Sequence, residues 1–267
     1  MKGLSISIVC LLFLVSPLAG LAQSRVGLNY GVHVGWYSAG KNEAKMYIGR
    51  DYGVSSRTDL QYLLIDNETN YTKLKEYFND DFSLYELPQN VAYKATLSIG
   101  GTLQYYTTET FAIFANAFFA SPSLKNGTFS IKLKSKQGSL SNEVIEHGSI
   151  TAKENRLNFE FGVHKAFKTK TNVLPYVETA VCASYLEVKS HEISIGNVKQ
   201  NITYSNSQNS TTFSKCGYGG EITGGVQFPI SDRFYLYSGI SLTAYKFNII
   251  GQTPFSLAKS IDFKLLL

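Results

Sequence analysis

The feature that most constrains this chain is an alternation of period two, repeated in eight separate segments. Val26, Leu28, Tyr30, Val32, Val34 and Trp36 are apolar at every second position, with Gly27, Asn29, Gly31, His33 and Gly35 between them. Successive side chains of an extended strand point to opposite faces, so such a segment has one apolar face and one small or polar face. The pattern returns over residues 91–105, 111–120, 157–163, 177–185, 218–228, 234–242 and 260–267. In the last of these, Ile261, Phe263, Leu265 and Leu267 alternate with Ser260, Asp262 and Lys264. Most of these segments run to about ten residues or more, where globular strands average about five or six. A tilted strand that crosses a bilayer needs about 9 to 11.

The connections alternate as well. Residues 107–109, 168–172 and 229–232 are short and carry turn chemistry, whereas 38–90, 121–154, 188–214 and 248–257 are long. Short turns at one end and long loops at the other are the signature of an up-and-down transmembrane barrel. A sheet in lipid must close, because an open edge leaves backbone groups without partners. The expected fold is therefore all-β: a closed antiparallel transmembrane β-barrel of eight strands, with long extracellular loops and both termini in the periplasm. Residues 128–134 are expected to extend the third strand beyond the membrane and to pair with 148–153; if both lay in the wall, the count would be ten. A soluble secreted β-barrel would alternate too, but with its apolar face inward. Here the other face carries glycine and ionisable residues, which suits a lumen. Aromatics gather near strand ends at Trp36, Tyr37, Tyr105, Tyr106, Phe167, Tyr176, Phe228 and Phe234, as interfacial girdles do.

Composition fits this reading. An apolar outer face averaged with a polar lumen and wet loops gives a mean hydropathy of -0.07, despite 18 Tyr and 17 Phe. A net charge of +5 spread along the chain leaves no nucleic-acid footprint, and 3 Cys make no disulfide scaffold. Residues 1–22 read as a secretory signal peptide: one Lys, an apolar run, and Gly20 and Ala22 before a cleavage site at Gln23. Residues 23–267 form the barrel, with 38–90 as its first extracellular loop. Within that loop Asn70 is placed to cap a helix over 71–78 that stops at Asn79, and 58–65 reads as a second short helix. The loop either folds as a cap over the barrel mouth or is a surface excursion.

The chemistry-bearing residues are few. The four His form no HExxH, no Cys/His cluster has metal spacing, and there is no GxSxG or phosphate loop. No catalytic residue, metal or cofactor is therefore expected. Lys94, Glu160, His164, Glu178 and Glu221 all take the inward phase. Eight strands leave an interior filled by side chains, where charges must be paired. The expectation is a lumen network with Lys94 as a cation and Tyr235, Tyr237 and Asn116 as neutral partners. Cys182 and Cys216 flank the third long loop on adjacent strands and are a candidate disulfide, although one takes the inward and the other the outward phase. His33, with Ser98 and Thr96 on the neighbouring strand, is the one base with hydroxyls in reach, the basis for an alternative reading as an outer-leaflet lipid-modifying enzyme.

Four segments carry a family resemblance: Leu-Ala-Gln at 21–23, FSLYELPQNVAY at 82–93, NGTFSI at 126–131 and LPYVE at 174–178. On these the chain resembles the outer-membrane β-barrel proteins of Bacteroidota. The resemblance implies the outer membrane, contact with its lipid, and insertion by the barrel-assembly machinery. It departs from the usual pattern at the end, where such proteins often finish on an aromatic and this chain finishes Leu265-Leu266-Leu267. The functional expectation is a structural anchor or surface-binding protein that works through its loops, without an open pore. A subunit of a secretion machinery is a further alternative, on analogy alone.

Overall fold

The computed structural model describes residues 26–48, 60–134, 144–201, 213–231, 234–247 and 255–267. The segment read as a signal peptide lies outside these residues, as do positions 58–59 and 202–212. In chain order the strands are β1 (Gly27–Ser38), β2 (Phe82–Glu86), β3 (Ala92–Tyr93), β4 (Thr96–Thr108), β5 (Phe111–Ala120), β6 (Leu124–Lys125), β7 (Thr128–Leu133), β8 (Ile145–Ala166), β9 (Leu174–Ile195), β10 (Val198–Asn201), β11 (Phe213–Pro229), β12 (Tyr235–Phe247) and β13 (Ser256–Leu266). Among the described residues of the first long connection are two α-helices, α1 (Lys41–Ala44) and α2 (Glu68–Phe78), with a 3-10 turn over Lys45–Ile48 and a π-helical turn over Tyr62–Asp66, where a second short helix is expected.

Eight strands close a ring in the order β1, β4, β5, β8, β9, β11, β12, β13 and back to β1, every pair antiparallel. The ring count is eight, and β7 stands outside it, paired to the far part of β8 at residues 145–149. The apolar phase faces outward: Trp36, Ile99, Phe161, Val181, Ile222, Ile240 and Phe263 are all exposed, while their neighbours in the chain turn inward. A large apolar side chain left in water forgoes about 1.5 to 3 kcal/mol. Repeated around a whole ring, that loss exceeds the roughly 5 to 15 kcal/mol by which a domain is stable. An exterior of this kind needs lipid, and the architecture is that of a transmembrane β-barrel. The inward phase rules out a soluble barrel with an apolar core.

Strands β8 and β9 are 22 residues each, about twice what a bilayer requires. Their far halves leave the belt at the long-loop end and join β2, β7 and β10 in a sheet of order β2-β7-β8-β9-β10. One face of this sheet buries Phe82, Ile131, Leu133, Ile150 and Ile193 against Leu60, Leu63, Leu64 and Leu74 of the first long connection. The described part of that connection is therefore a folded cap and not a surface excursion. The helix in it begins a turn earlier than its sequence suggests. Asn67 is the cap, its side chain accepting from the Asn70 N–H at 3.2 Å, while the Asn70 amide donates to the Leu63 carbonyl at 2.9 Å. Asn79 ends it in the left-handed region, at φ 50°. A second difference lies at 91–95. The alternation there continues in phase, yet β3 pairs with β6 outside the ring, and the wall resumes only at Thr96.

Candidate functional site: the polar lumen

Each ring strand sends every second side chain into the lumen, so polar residues far apart in sequence meet there in layers. At the short-turn end, Tyr106, Tyr176 and Tyr237 surround the His164 ring, with centroids 5.0 to 5.8 Å away. The Tyr106 and Tyr237 hydroxyls are 2.8 Å apart. His164 Nδ1 is 3.0 Å from Glu178 Oε1, and Lys264 donates to Glu178 Oε2 at 2.8 Å. The Lys264 ammonium also lies 5.1 Å from the centre of the Phe114 ring. Of the aromatics read as a girdle, Trp36, Tyr105, Phe228 and Phe234 face outward, but Tyr37, Tyr106 and Tyr176 point inward and plug the lumen.

A middle layer runs across the barrel. His33 Nε2 sits 2.8 Å from Asp262 Oδ1, and Ser241 and Ser260 donate to Asp262 Oδ2. Ser241 meets Thr223 at 2.8 Å, Thr223 donates to Glu221 Oε1 at 3.0 Å, and Thr243 donates to Glu221 Oε2 at 2.7 Å. Between β5 and β8, Asn116 donates to Glu160 Oε2 at 2.7 Å. Hydroxyls and amides of this kind let charges persist in a low-dielectric interior at tolerable cost.

Toward the long-loop end lies Arg156, which is fully buried. Its guanidinium binds Glu154 of the wall at 2.7 Å and contacts Glu43, which reaches it from α1 of the cap. It donates to the Tyr37 hydroxyl at 3.3 Å and lies 5.1 and 5.4 Å from the ring centres of Tyr93 and Phe247. Glu154 also accepts from the hydroxyls of Tyr47 and Tyr93, both carried by the first long connection. The cap is thus keyed into the barrel through one arginine and one glutamate. Beyond the belt, His191 packs edge-on against the Tyr47 ring at 5.0 Å, and burial pushes its imidazole down to about 4. On the cap surface, the hydrogen bond and charge of Lys75 hold Asp81 below the usual carboxylate range.

Of the five residues expected in the lumen, Glu160, His164, Glu178 and Glu221 are there and Lys94 is not. Lys94 is exposed, between β3 and β4, with its backbone N–H on the Ser123 carbonyl. Lys264 supplies the cation in its place. Its inward phase was readable, but its partner Glu178 is 86 positions away. Arg156 shares the inward phase of Glu160 and was hidden because it falls where 121–154 reads as giving way to strand. Cys182 and Cys216 carry no disulfide: both are free. Cys182 faces inward opposite Gly219, and Cys216 faces outward opposite Tyr185, with an unbroken ladder between. Opposite faces of one sheet put the two sulfurs out of bonding reach. His33 does have an orienting acid in Asp262. It is nonetheless 2% exposed inside the lumen, away from any surface that lipid touches.

No family model matches the chain, and no curated protein matches it either. Among solved structures, it is similar to Neisserial surface protein A at 8% identity, over 90% of this chain and 96% of that one, with a TM-score of 0.41. It is likewise similar to the outer membrane protein OprG of Pseudomonas aeruginosa at 9% identity, over 92% and 98%, with a TM-score of 0.41. A third similar structure is Ail, the attachment invasion locus protein of Yersinia pestis, at 8% identity, over 90% and 97%, with a TM-score of 0.35. Likeness at this level carries no statement about activity.

Proposed function

We propose that the chain is an outer-membrane anchor that presents a folded surface platform for binding, and that it forms no open pore. The carrying observation is the continuation of β8 and β9 past the belt into a five-stranded sheet roofed by the cap. That extra length is not needed for spanning, which takes about 9 to 11 residues per strand. In this orientation the long-loop end is extracellular, and the start of β1 and the end of β13, joined by bonds between Tyr30 and Leu267, are periplasmic. The lumen is closed by Arg156 above and the tyrosine cluster below, which supports a non-conducting role. Outer-membrane lipid surrounds the belt, and the barrel-assembly machinery inserts it.

Two measurements test the reading together. Planar-bilayer recording of the purified protein should give no channel steps. Cells displaying the full chain should bind a panel of immobilised matrix proteins and polysaccharides that cells displaying a variant with residues 41–88 replaced by a short turn do not. Heat-modifiable gel mobility confirms insertion in both. Channel steps from the intact protein, or identical binding by the two, would overturn the proposal.

A further inference from the structure

Not every lumen carboxylate has a cation bonded to it. Glu178, at the short-turn end, is bonded by Lys264 and His164, and Asp262, in the middle layer, is bonded by His33. Glu160 and Glu221 have no cation in hydrogen-bonding contact: Asn116 donates to one, Thr223 and Thr243 to the other, the two carboxyl groups also meet each other, and the charge of Lys264 acts on Glu160 without bonding it. Two carboxylates in adjoining positions within a closed interior are unfavourable unless a positive charge joins them. Beside them lies the buried thiol of Cys182. One ligand atom from each of Glu160, Cys182 and Glu221 falls within 4.8 Å of the others.

We propose that Glu160, Cys182 and Glu221 form a binding site for a divalent cation of the zinc class. Three ligands come from three strands, β8, β9 and β11, held in register by Glu160↔Cys182 and Cys182↔Gly219 pairings. A thiolate with two carboxylates suits a borderline ion and disfavours calcium or magnesium, which take oxygen alone. A tetrahedral zinc with bonds of about 2.0 to 2.3 Å spaces its ligand atoms about 3.3 to 3.8 Å apart, so the three need close by only about an ångström. The fourth donor of such a site would come from Asn116, whose amide already meets Glu160. Asn116, 3% exposed, spends its amide N–H on Glu160 and leaves its Oδ1 without a partner. Thr223 and Thr243 fix both oxygens of Glu221, the outer-shell support that metal carboxylates require. Binding releases the Cys182 thiol proton, and any proton held between the carboxylates, to solvent. The resulting Zn–S and Zn–O contacts replace a repulsive pair with a neutralised one. Spacing in sequence could not signal this site, because its members are 22 and 39 residues apart along the chain.

The experiment uses the full mature chain folded in detergent, in a Cys216→Ser background that leaves one thiol in the barrel. Co2+ serves as the optical probe and Zn2+ as the competitor, each supplied both during and after refolding. The expected result is one equivalent of Co2+ with a thiolate-to-cobalt charge-transfer band that Zn2+ abolishes. Cys182→Ser should lose the band, and Glu160→Gln or Glu221→Gln should weaken binding at least tenfold with heat-modifiable mobility intact. Absence of the band in the folded Cys216→Ser protein under both loading conditions would overturn the proposal. So would a band that survives Cys182→Ser. If one Glu variant does not fold, the other decides the same point.

Discussion

Replacement of Arg156 by Met keeps a side chain of similar length in the lumen and removes the guanidinium. Arg156 is completely buried and serves Glu154 of the wall and Glu43 of the cap at once. Deleting one partner of a buried ion pair costs about 3 to 5 kcal/mol, because the remaining charge stays buried without compensation. The loss falls on docking of the cap, since Glu43 and the hydroxyls of Tyr47 and Tyr93 come from the first long connection. At 1.4 kcal/mol per tenfold, even about 3 kcal/mol raises the opened fraction of the cap roughly a hundredfold. Hydrogen exchange read by mass spectrometry over residues 41–48 measures that fraction, with β12 and β13 amides as an internal control that should not change. Adding Glu43→Gln and Glu154→Gln to Arg156→Met should restore part of the protection, because the uncompensated charges are gone. Exchange in 41–48 within threefold of the parent protein would refute the role given to Arg156.

Two further predictions concern the cap. His191 is held neutral, at about 4 against an ordinary 6.5, so an opened cap binds a proton that the docked cap excludes. Protection of the cap should be complete above about pH 6.5 and fall by up to about tenfold per unit as pH drops toward 4; His191→Phe should flatten that dependence, and the same slope in the variant would count against it. Asn67→Ala removes the helix cap of α2 and should cost about 1 kcal/mol of local stability, read as faster exchange at residues 68–71 with the barrel unaffected.

How far the sequence alone reached can be judged from particular elements. The outward and inward faces of β13 were plain in the alternation of Ile261, Phe263 and Leu265 with Asp262 and Lys264, because lipid on one side and a filled lumen on the other impose opposite chemistry at each step. The reach of β8 and β9 was not plain. Beyond Leu157 and Tyr185 the outward positions turn polar at Thr151, Lys153 and Lys189, since they no longer face lipid, while the inward face, polar within the barrel, turns apolar at Leu186, Val188, Ile150 and Ile193. A reading keyed to the lipid face therefore stops where the membrane stops. Lys94 misled for the opposite reason: Val91, Tyr93 and Ala95 keep the period, but Val91 and Tyr93 are buried in the cap core instead of facing outward. The lumen residues were largely predictable as a set and not as pairs. Which carboxylate meets which base depends on registers between strands, as in Asp262 with His33, 229 positions apart.

The central claim is that one face of each ring strand meets lipid and the other a sealed, polar interior. Spin labels placed singly at residues 261 to 265 in bilayers, with the native cysteines replaced, test it directly. Collisions with oxygen and with a water-soluble nickel complex are recorded at each site. Labels at 261, 263 and 265 should be open to oxygen and closed to nickel, while 262 and 264 should be shielded from both. High nickel access at 262 and 264 would mean an open channel, and loss of the two-residue period would mean that β13 does not stand in a barrel wall.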